Sequence, residues 1–160
     1  MIISNNLIGK MPIPKDAIIR VNLAWVSKEE ARKILSETKN DIYLDYPSGR
    51  TKPPKPTMTL DDAIELANEF KVKYFAVSNI ECICDVLDIQ SKLYYSEFVP
   101  KIETVNGVEN IREITQEVDI IMLDKEDLYV DCNGEGYEDL INKVRSSKVK
   151  VLELAGVIFI

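Results

Sequence analysis

Short apolar runs and amphipathic stretches take turns along the chain. The runs at Ile18–Leu23, Ile42–Asp45, Tyr74–Ser78, Phe98–Ile102, Ile120–Leu123 and Val149–Leu154 are β-branched and nearly continuous in apolar character. Strands covered on both faces read this way, whereas a strand with one wet face alternates. The segments between them show helical periodicity with readable starts. Ser27 and Glu30 make a capping box ahead of Ala31, Ile34 and Leu35. Thr59 and Asp62 open a second helix, whose Leu60, Ala63, Ile64 and Ala67 recur at i, i+3, i+4 and i+7. Asn106 with Glu109 opens a third, with Val108, Ile111 and Ile114 on one face, and Tyr137, Leu140, Ile141 and Val144 mark a fourth. Residues Ile83 to Leu93 hold a fifth.

A strand–helix order of this kind, with right-handed crossovers, gives a parallel sheet with helices outside it. A doubly wound nucleotide-binding sheet carries a Gly-rich turn, and the six glycines form neither GxGxxG nor GxxxxGK[ST]. A (β/α)8 barrel normally takes about 250 residues, and this chain has 160. The expected fold is therefore an incomplete (β/α)8 TIM-type barrel of about six to seven parallel strands, a single domain over residues 1–160. One segment breaks the rhythm: Tyr46–Thr57, YPSGRTKPPKPT, holds four of the seven prolines. Proline neither donates to a ladder nor sits inside a helix, so this is a loop, placed after a strand at the face where barrel enzymes keep their sites.

Composition narrows the chemistry. The charge is −7, from 20 Lys and Arg against 27 Asp and Glu, and no basic block stands out, so nucleic-acid binding is not expected. There is no His, which excludes Ser-His-Asp and Cys-His mechanisms and His-ligated metals. No apolar run reaches the ~18–20 residues of a membrane span, and the N-terminus lacks a signal-peptide pattern, so no membrane association and a cytoplasmic location are expected. Cys82, Cys84 and Cys132 do not form a CxxC pair and read as buried or incidental thiols in a reducing compartment.

In a parallel barrel the polar residues at the strand ends converge on one mouth. They are Arg20 and Asn22, Asp45, Ser78 and Asn79, Lys101 and Glu103, and Asp124 to Asp127, while Glu153 interrupts the last run. Ionisable groups in apolar strands need a partner or a bound cation. Carboxylates such as Glu103 and Asp127, with no His or thiol beside them, suit a hard cation, Mg2+ or Mn2+. Lys101 and Arg20 then suit a small anionic substrate.

The stretch KIETVNGVENIREI at Lys101–Ile114, followed by DIIMLDKEDL at Asp119–Leu128, resembles the catalytic core of pyruvate kinases, with their KIE-x-x-x-GV-x-N-x-x-EI and D-x-I-M-x-x-x-x-DLG words. Upstream, Ala17–Leu23 looks like the family's ARLNFSHG strand and Ile42–Arg50 like its LDTKGPEIR strand. Thr59–Asp62 and Tyr74–Asn79 are similar to its LTEKD helix and VALSFVR strand. The similarity keeps one order from about Ala17 to Leu154. The related aldolase and citrate-lyase group shares an IET-x-x-GV-x-N word and a later DL.

The resemblance implies roles. Glu103 and Asp127 match the carboxylates that hold the divalent metal, and Lys101 the lysine beside the transferring phosphoryl group. Arg20 matches the phosphate-contacting arginine, and Asn22 and Asp45 two ligands of a K+ site. It also implies a pyruvate- or phosphoenolpyruvate-type substrate and a nucleotide partner. The departures are specific. Ala24 removes a K+-ligating hydroxyl, Trp25 stands where the family has His, and Glu126 and Tyr129 replace both glycines of GDLG. A hydroxyl used in proton transfer is absent near Leu154–Gly156, and the lid and C-terminal regulatory domains are missing. Metal-dependent aldolase or lyase chemistry and a non-catalytic remnant or assembly subunit are the alternatives. The apolar run Val149–Ile160 is expected to form an edge strand that pairs with another copy, giving a homo-oligomer.

Overall fold

A computed structural model describes residues 1–155 and 158–159. The chain opens with β1 (Ile2–Ser4), a 3-10 turn over Asn5–Leu7, and β2 (Ile18–Asn22). Helices and strands then alternate: α1 (Lys28–Glu37), β3 (Ile42–Tyr46), α2 (Leu60–Glu69), β4 (Tyr74–Val77), α3 (Ile83–Lys92) and β5 (Glu97–Ile102). Next come α4 (Val105–Glu109), α5 (Ile111–Ile114), β6 (Ile120–Leu123), α6 (Lys125–Asp131), α7 (Tyr137–Arg145), β7 (Lys150–Ala155) and β8 (Ile158–Phe159). Among the described residues, β1 to β7 pair in sequence order and in parallel, each with the next. The result is an α/β fold with a curled sheet of seven parallel strands flanked by helices.

The two edges of that sheet meet differently from a repeat of eight parallel units. The two-residue β8 runs antiparallel to both β7 and β1. The edge expected to recruit a second copy is thus paired within the chain, and that reason for an oligomer falls away. Residues 156, 157 and 160 of the same apolar run lie outside the described residues.

Strand geometry sorts the side chains. Successive residues point to opposite faces. The outward set, including Ile19, Val21, Leu44, Phe75, Val77, Ile102, Ile121 and Leu123, packs with α-helical residues such as Ala31, Leu35, Ala63, Leu66, Val108 and Val144 in the main core. Burying each large apolar side chain of this kind contributes roughly 1.5–3 kcal/mol. The inward set forms a second cluster of Ile2, Tyr43, Ala76, Val99, Ile120, Met122 and Leu152. Two residues further along each strand, the same inward parity delivers Asp45, Ser78, Lys101 and Asp124. The apolar floor and the charged rim are therefore consecutive layers of one alternation.

The helices start where the sequence provides caps. Ser27 and Glu30 close a capping box at α1, and Thr59 and Asp62 another at α2. The third helical stretch begins earlier than expected, because Thr104 rather than Asn106 caps it, its side chain accepting the Gly107 N–H, and Asn110 divides it into α4 and α5. The connection from β1 to β2 is the 3-10 turn and loop, with no α-helix. No helix among the described residues is long and apolar enough to cross a membrane.

Candidate functional site

The C-terminal ends of β2 to β6 surround a depression of about 340 Å³. Arg20, Asn22, Lys101, Glu103 and Asp127 all line it, with Ser78, Asn79, Asp124 and the loop residues Ser48 to Lys52. Asp45 lies beneath, fully buried and ion-paired with two of the lining cations, Arg20 and Lys101. The structure therefore brings together the six residues to which the resemblance assigns roles, Arg20, Asn22, Asp45, Lys101, Glu103 and Asp127. Glu153 stands apart from them. It lies on the outward face of β7, bound by Arg145 at 2.7 Å and Lys125 at 3.1 Å.

Half-buried Arg20 and the buried Asp45, Lys101 and Glu103 form a linked network. Arg20 Nε donates to Asp45 Oδ2 at 2.9 Å, and its Nη2 pairs with the same oxygen. Lys101 Nζ lies 3.7 Å from Asp45 Oδ1 and 2.7 Å from Glu103 Oε1, and donates to Ser78 Oγ at 3.0 Å. The Asn79 backbone N–H donates to Glu103 Oε2 at 2.9 Å. Among the described residues Asp45 Oδ1 is buried without a hydrogen-bond partner, and the Lys101 charge lies 3.7 Å from it. Burial opposes ionisation of Asp45, but Lys101 and Arg20 outweigh it and hold the carboxyl below its ordinary value. Burial likewise opposes the charges on Arg20 and Lys101, and the facing carboxylates keep both above their ordinary values. Glu103 differs: burial dominates, Asp124 and Asp45 add to it, and the carboxyl sits above its usual range despite Lys101.

The inner quartet of Arg20, Lys101, Asp45 and Glu103 sums to zero charge. The rim does not. Asp124, Asp127 and Asp131 line the same depression, and neither Asp124 nor Asp127 forms an ion pair among the described residues. One carboxylate oxygen from each of Glu103, Asp124 and Asp127 lies within 4.8 Å of the other two. The cluster contains Asp124 because this residue caps α6, its Oδ1 accepting the Asp127 N–H at 3.3 Å. The cap brings both acids onto one turn. Asn22 is used locally, its Oδ1 accepting the Ala24 N–H at 2.9 Å.

The Pro-rich loop is pinned across the mouth. Asn79 Nδ2 donates to the Ser48 carbonyl at 2.7 Å, and Arg50 Nε to the Pro54 carbonyl at 2.8 Å. Asn79 and Gly49 both take positive φ, +56° and +68°. A Cβ on Gly49 would crowd Asn79 Nδ2 at 3.1 Å, and the left-handed φ there favours glycine. Trp25 follows β2 and is 69% exposed, which places it at the surface rather than in the core.

The site is thus a charged mouth on an apolar floor in a curled parallel sheet, built to hold charges rather than to shelter an apolar ligand. No protein-family model and no curated protein matches the chain.

Proposed function

We propose that the mouth binds a divalent cation together with a small carboxylate or phosphate-bearing anion, in the manner of a shortened TIM-type, pyruvate-kinase-like barrel. The observation that carries this reading is the convergence of Glu103, Asp124 and Asp127 within 4.8 Å beside Lys101 and Arg20. Two of these acids carry negative charge that nothing in the inner quartet neutralises. The donor set fits a hard ion such as Mg2+ or Mn2+, being oxygen only, with no His or thiol. Glu103 can still take part: each carboxylate oxygen has two acceptor sites, and Oε2 carries the Asn79 N–H with a second site left for another ligand.

A divalent ion bound there would supply Lewis-acid polarisation of a carbonyl or phosphoryl oxygen. The chain's own groups would do the rest. Lys101, fixed between Asp45 and Glu103, keeps a positive charge at the bottom of the mouth, where it would offset negative charge on a bound oxyanion. Arg20, oriented by Asp45, presents a second cation from the neighbouring strand. Arg50 and Lys52 border the same depression from the loop. A substrate of the pyruvate or phosphoenolpyruvate type matches this arrangement, and phosphoryl transfer to a nucleotide is the activity that the sequence resemblance suggests. Lyase or aldolase chemistry on the same kind of anion is the second reading. The loop over residues 47–59, without a Gly-rich phosphate cradle, favours it.

The test is a thermal melt with Mn2+, with and without oxalate as the anion. Saturation at about 100 times Kd stabilises a folded protein by about 2.7 kcal/mol, a rise of roughly 5–11 °C for a chain of this size. Wild type should show that rise, and the Glu103→Gln and Asp127→Asn variants should lose most of it. An unchanged melt of wild type at millimolar Mn2+ refutes the reading. Turnover of phosphoenolpyruvate that requires ADP separates phosphoryl transfer from lyase chemistry.

A further inference from the structure

Cys82 and Cys84 are joined in a disulfide, which departs from the expectation of incidental thiols, while Cys132 is free and buried. The bond closes a ring with a single intervening residue. Such a short loop removes little entropy from the unfolded chain, so this link is poorly suited to be a structural staple. Its position is suited to reactivity. Cys84 is exposed. Cys82 is the N-cap of α3, its Sγ accepting the Asp85 N–H at 3.3 Å. A helix N-terminus and a backbone donor stabilise a thiolate and make it a better leaving group. Asp85 opposes this with its own charge, but its carboxylate is turned back onto the N–H groups of Glu81 and Cys82, at 3.2 and 3.3 Å.

The pair also sits close to the mouth. A groove lined by Ser78, Asn79, Cys84 and Asp85 connects the two. The segment between them is anchored in the site: the Asn79 N–H donates to Glu103 and the Ile80 N–H to the Lys101 carbonyl at 3.3 Å.

We propose that Cys82 and Cys84 form a reversible, solvent-accessible dithiol–disulfide couple that sets the order of the Asn79–Asp85 turn supporting the mouth. The reductant is a thiol of the glutathione class or a protein dithiol. Its thiolate attacks Sγ of Cys84, the S–S bond breaks, and the electron pair leaves with Cys82. A second thiol then attacks the mixed disulfide and releases Cys84. Two electrons and two protons pass to the pair, and the reductant is left as a disulfide. Reduction opens the ring, frees the first turn of α3 and loosens the turn before it. The inference does not require a metal or substrate at the mouth.

The full chain is equilibrated in glutathione buffers of graded poise, quenched with acid, alkylated in denaturant and analysed by peptide mass spectrometry. Under oxidising conditions only Cys132 should be alkylated, and under reducing conditions all three cysteines, with the change reversed when the poise is reversed. Alkylation of all three in oxidising buffer overturns the couple. Hydrogen exchange then tests the coupling. The amides of Asn79 and Ile80 should exchange several-fold faster in the reduced protein, and the Cys84→Ser variant should match the reduced protein at every poise. Equal exchange in both redox states overturns the link to the mouth, whatever the outcome of the Mn2+ experiment.

Discussion

Replacing Lys101 with Met probes the network at its centre. Lys101 is 5% exposed, and its ammonium reaches Glu103 at 2.7 Å, Ser78 at 3.0 Å and Asp45 at 3.7 Å. Methionine fills a similar volume, so the main effect is electrostatic. Two buried carboxylates lose their shared cation. Breaking a buried pair by removing one partner costs about 3–5 kcal/mol. Asp45 keeps Arg20 and Glu103 keeps the Asn79 N–H, which places the expected loss near the lower end, about 3 kcal/mol. For a chain of this length that lowers Tm by roughly 6–12 °C. Urea and thermal melts in a chelating buffer measure it without interference from metal. A double-mutant cycle identifies the cause, because in Lys101→Met/Glu103→Gln the Glu103 charge is also gone and Asp45 keeps Arg20. The pair should recover at least ~1 kcal/mol relative to the sum of the single effects. Strict additivity, or a Lys101→Met loss below ~1 kcal/mol, refutes the claim that this ammonium holds the mouth together.

Two further outcomes are expected. Arg145 and Lys125 hold Glu153 down to about 2, below the roughly 4.3 of an unfolded carboxyl. A depressed folded value means that the stabilisation is complete above the unfolded value and disappears as pH falls towards the folded one. Glu153→Gln should therefore trail wild type in urea melts at pH 7 by under ~1 kcal/mol, given solvent screening, and the gap should close near pH 2. An equal gap at both pH values contradicts the assignment. Gly107→Ala is the other. Alanine is the better helix former by about 1 kcal/mol, yet its Cβ would lie 2.8 Å from the Ile80 carbonyl oxygen. The backbone contact should win, with a net loss of about 1–3 kcal/mol in denaturant melts.

The strands were legible because both of their faces are dry for most of their length. Continuous apolar runs such as Ile120–Leu123 mark them to within a residue or two. The capped helices were legible for a local reason, since Ser27, Thr59 and their acidic partners sit next to the N–H groups they satisfy. β1 was not, because three residues carry no period, and neither was α6, whose seven residues bury only Leu128. The antiparallel β8 was hidden inside one apolar run that read as a single strand. In the site, Arg20, Asp45 and Lys101 were legible as charges embedded in or ending apolar strands. The place of Asp124 in the acidic cluster depends on a helix cap three residues before Asp127, and α6 was not foreseen. Pairing of Cys82 with Cys84 was not legible because a single intervening residue matches neither the CxxC redox spacing nor that of a zinc motif.

The alternation that separates floor from rim also constrains how the sheet can assemble. Shifting β5 by one residue against its neighbours would exchange the two faces of the strand. Lys101 and Glu103 would be driven among the greasy helix-facing side chains, and Ile102 would take their place in the mouth. Among the described residues that side is an apolar cluster, whereas in the observed register Lys101 stands opposite Met122 and meets Asp45 and Glu103. The charges at the rim thus serve as alignment pins, and a variant that neutralised them all would lose a safeguard against slipped pairing.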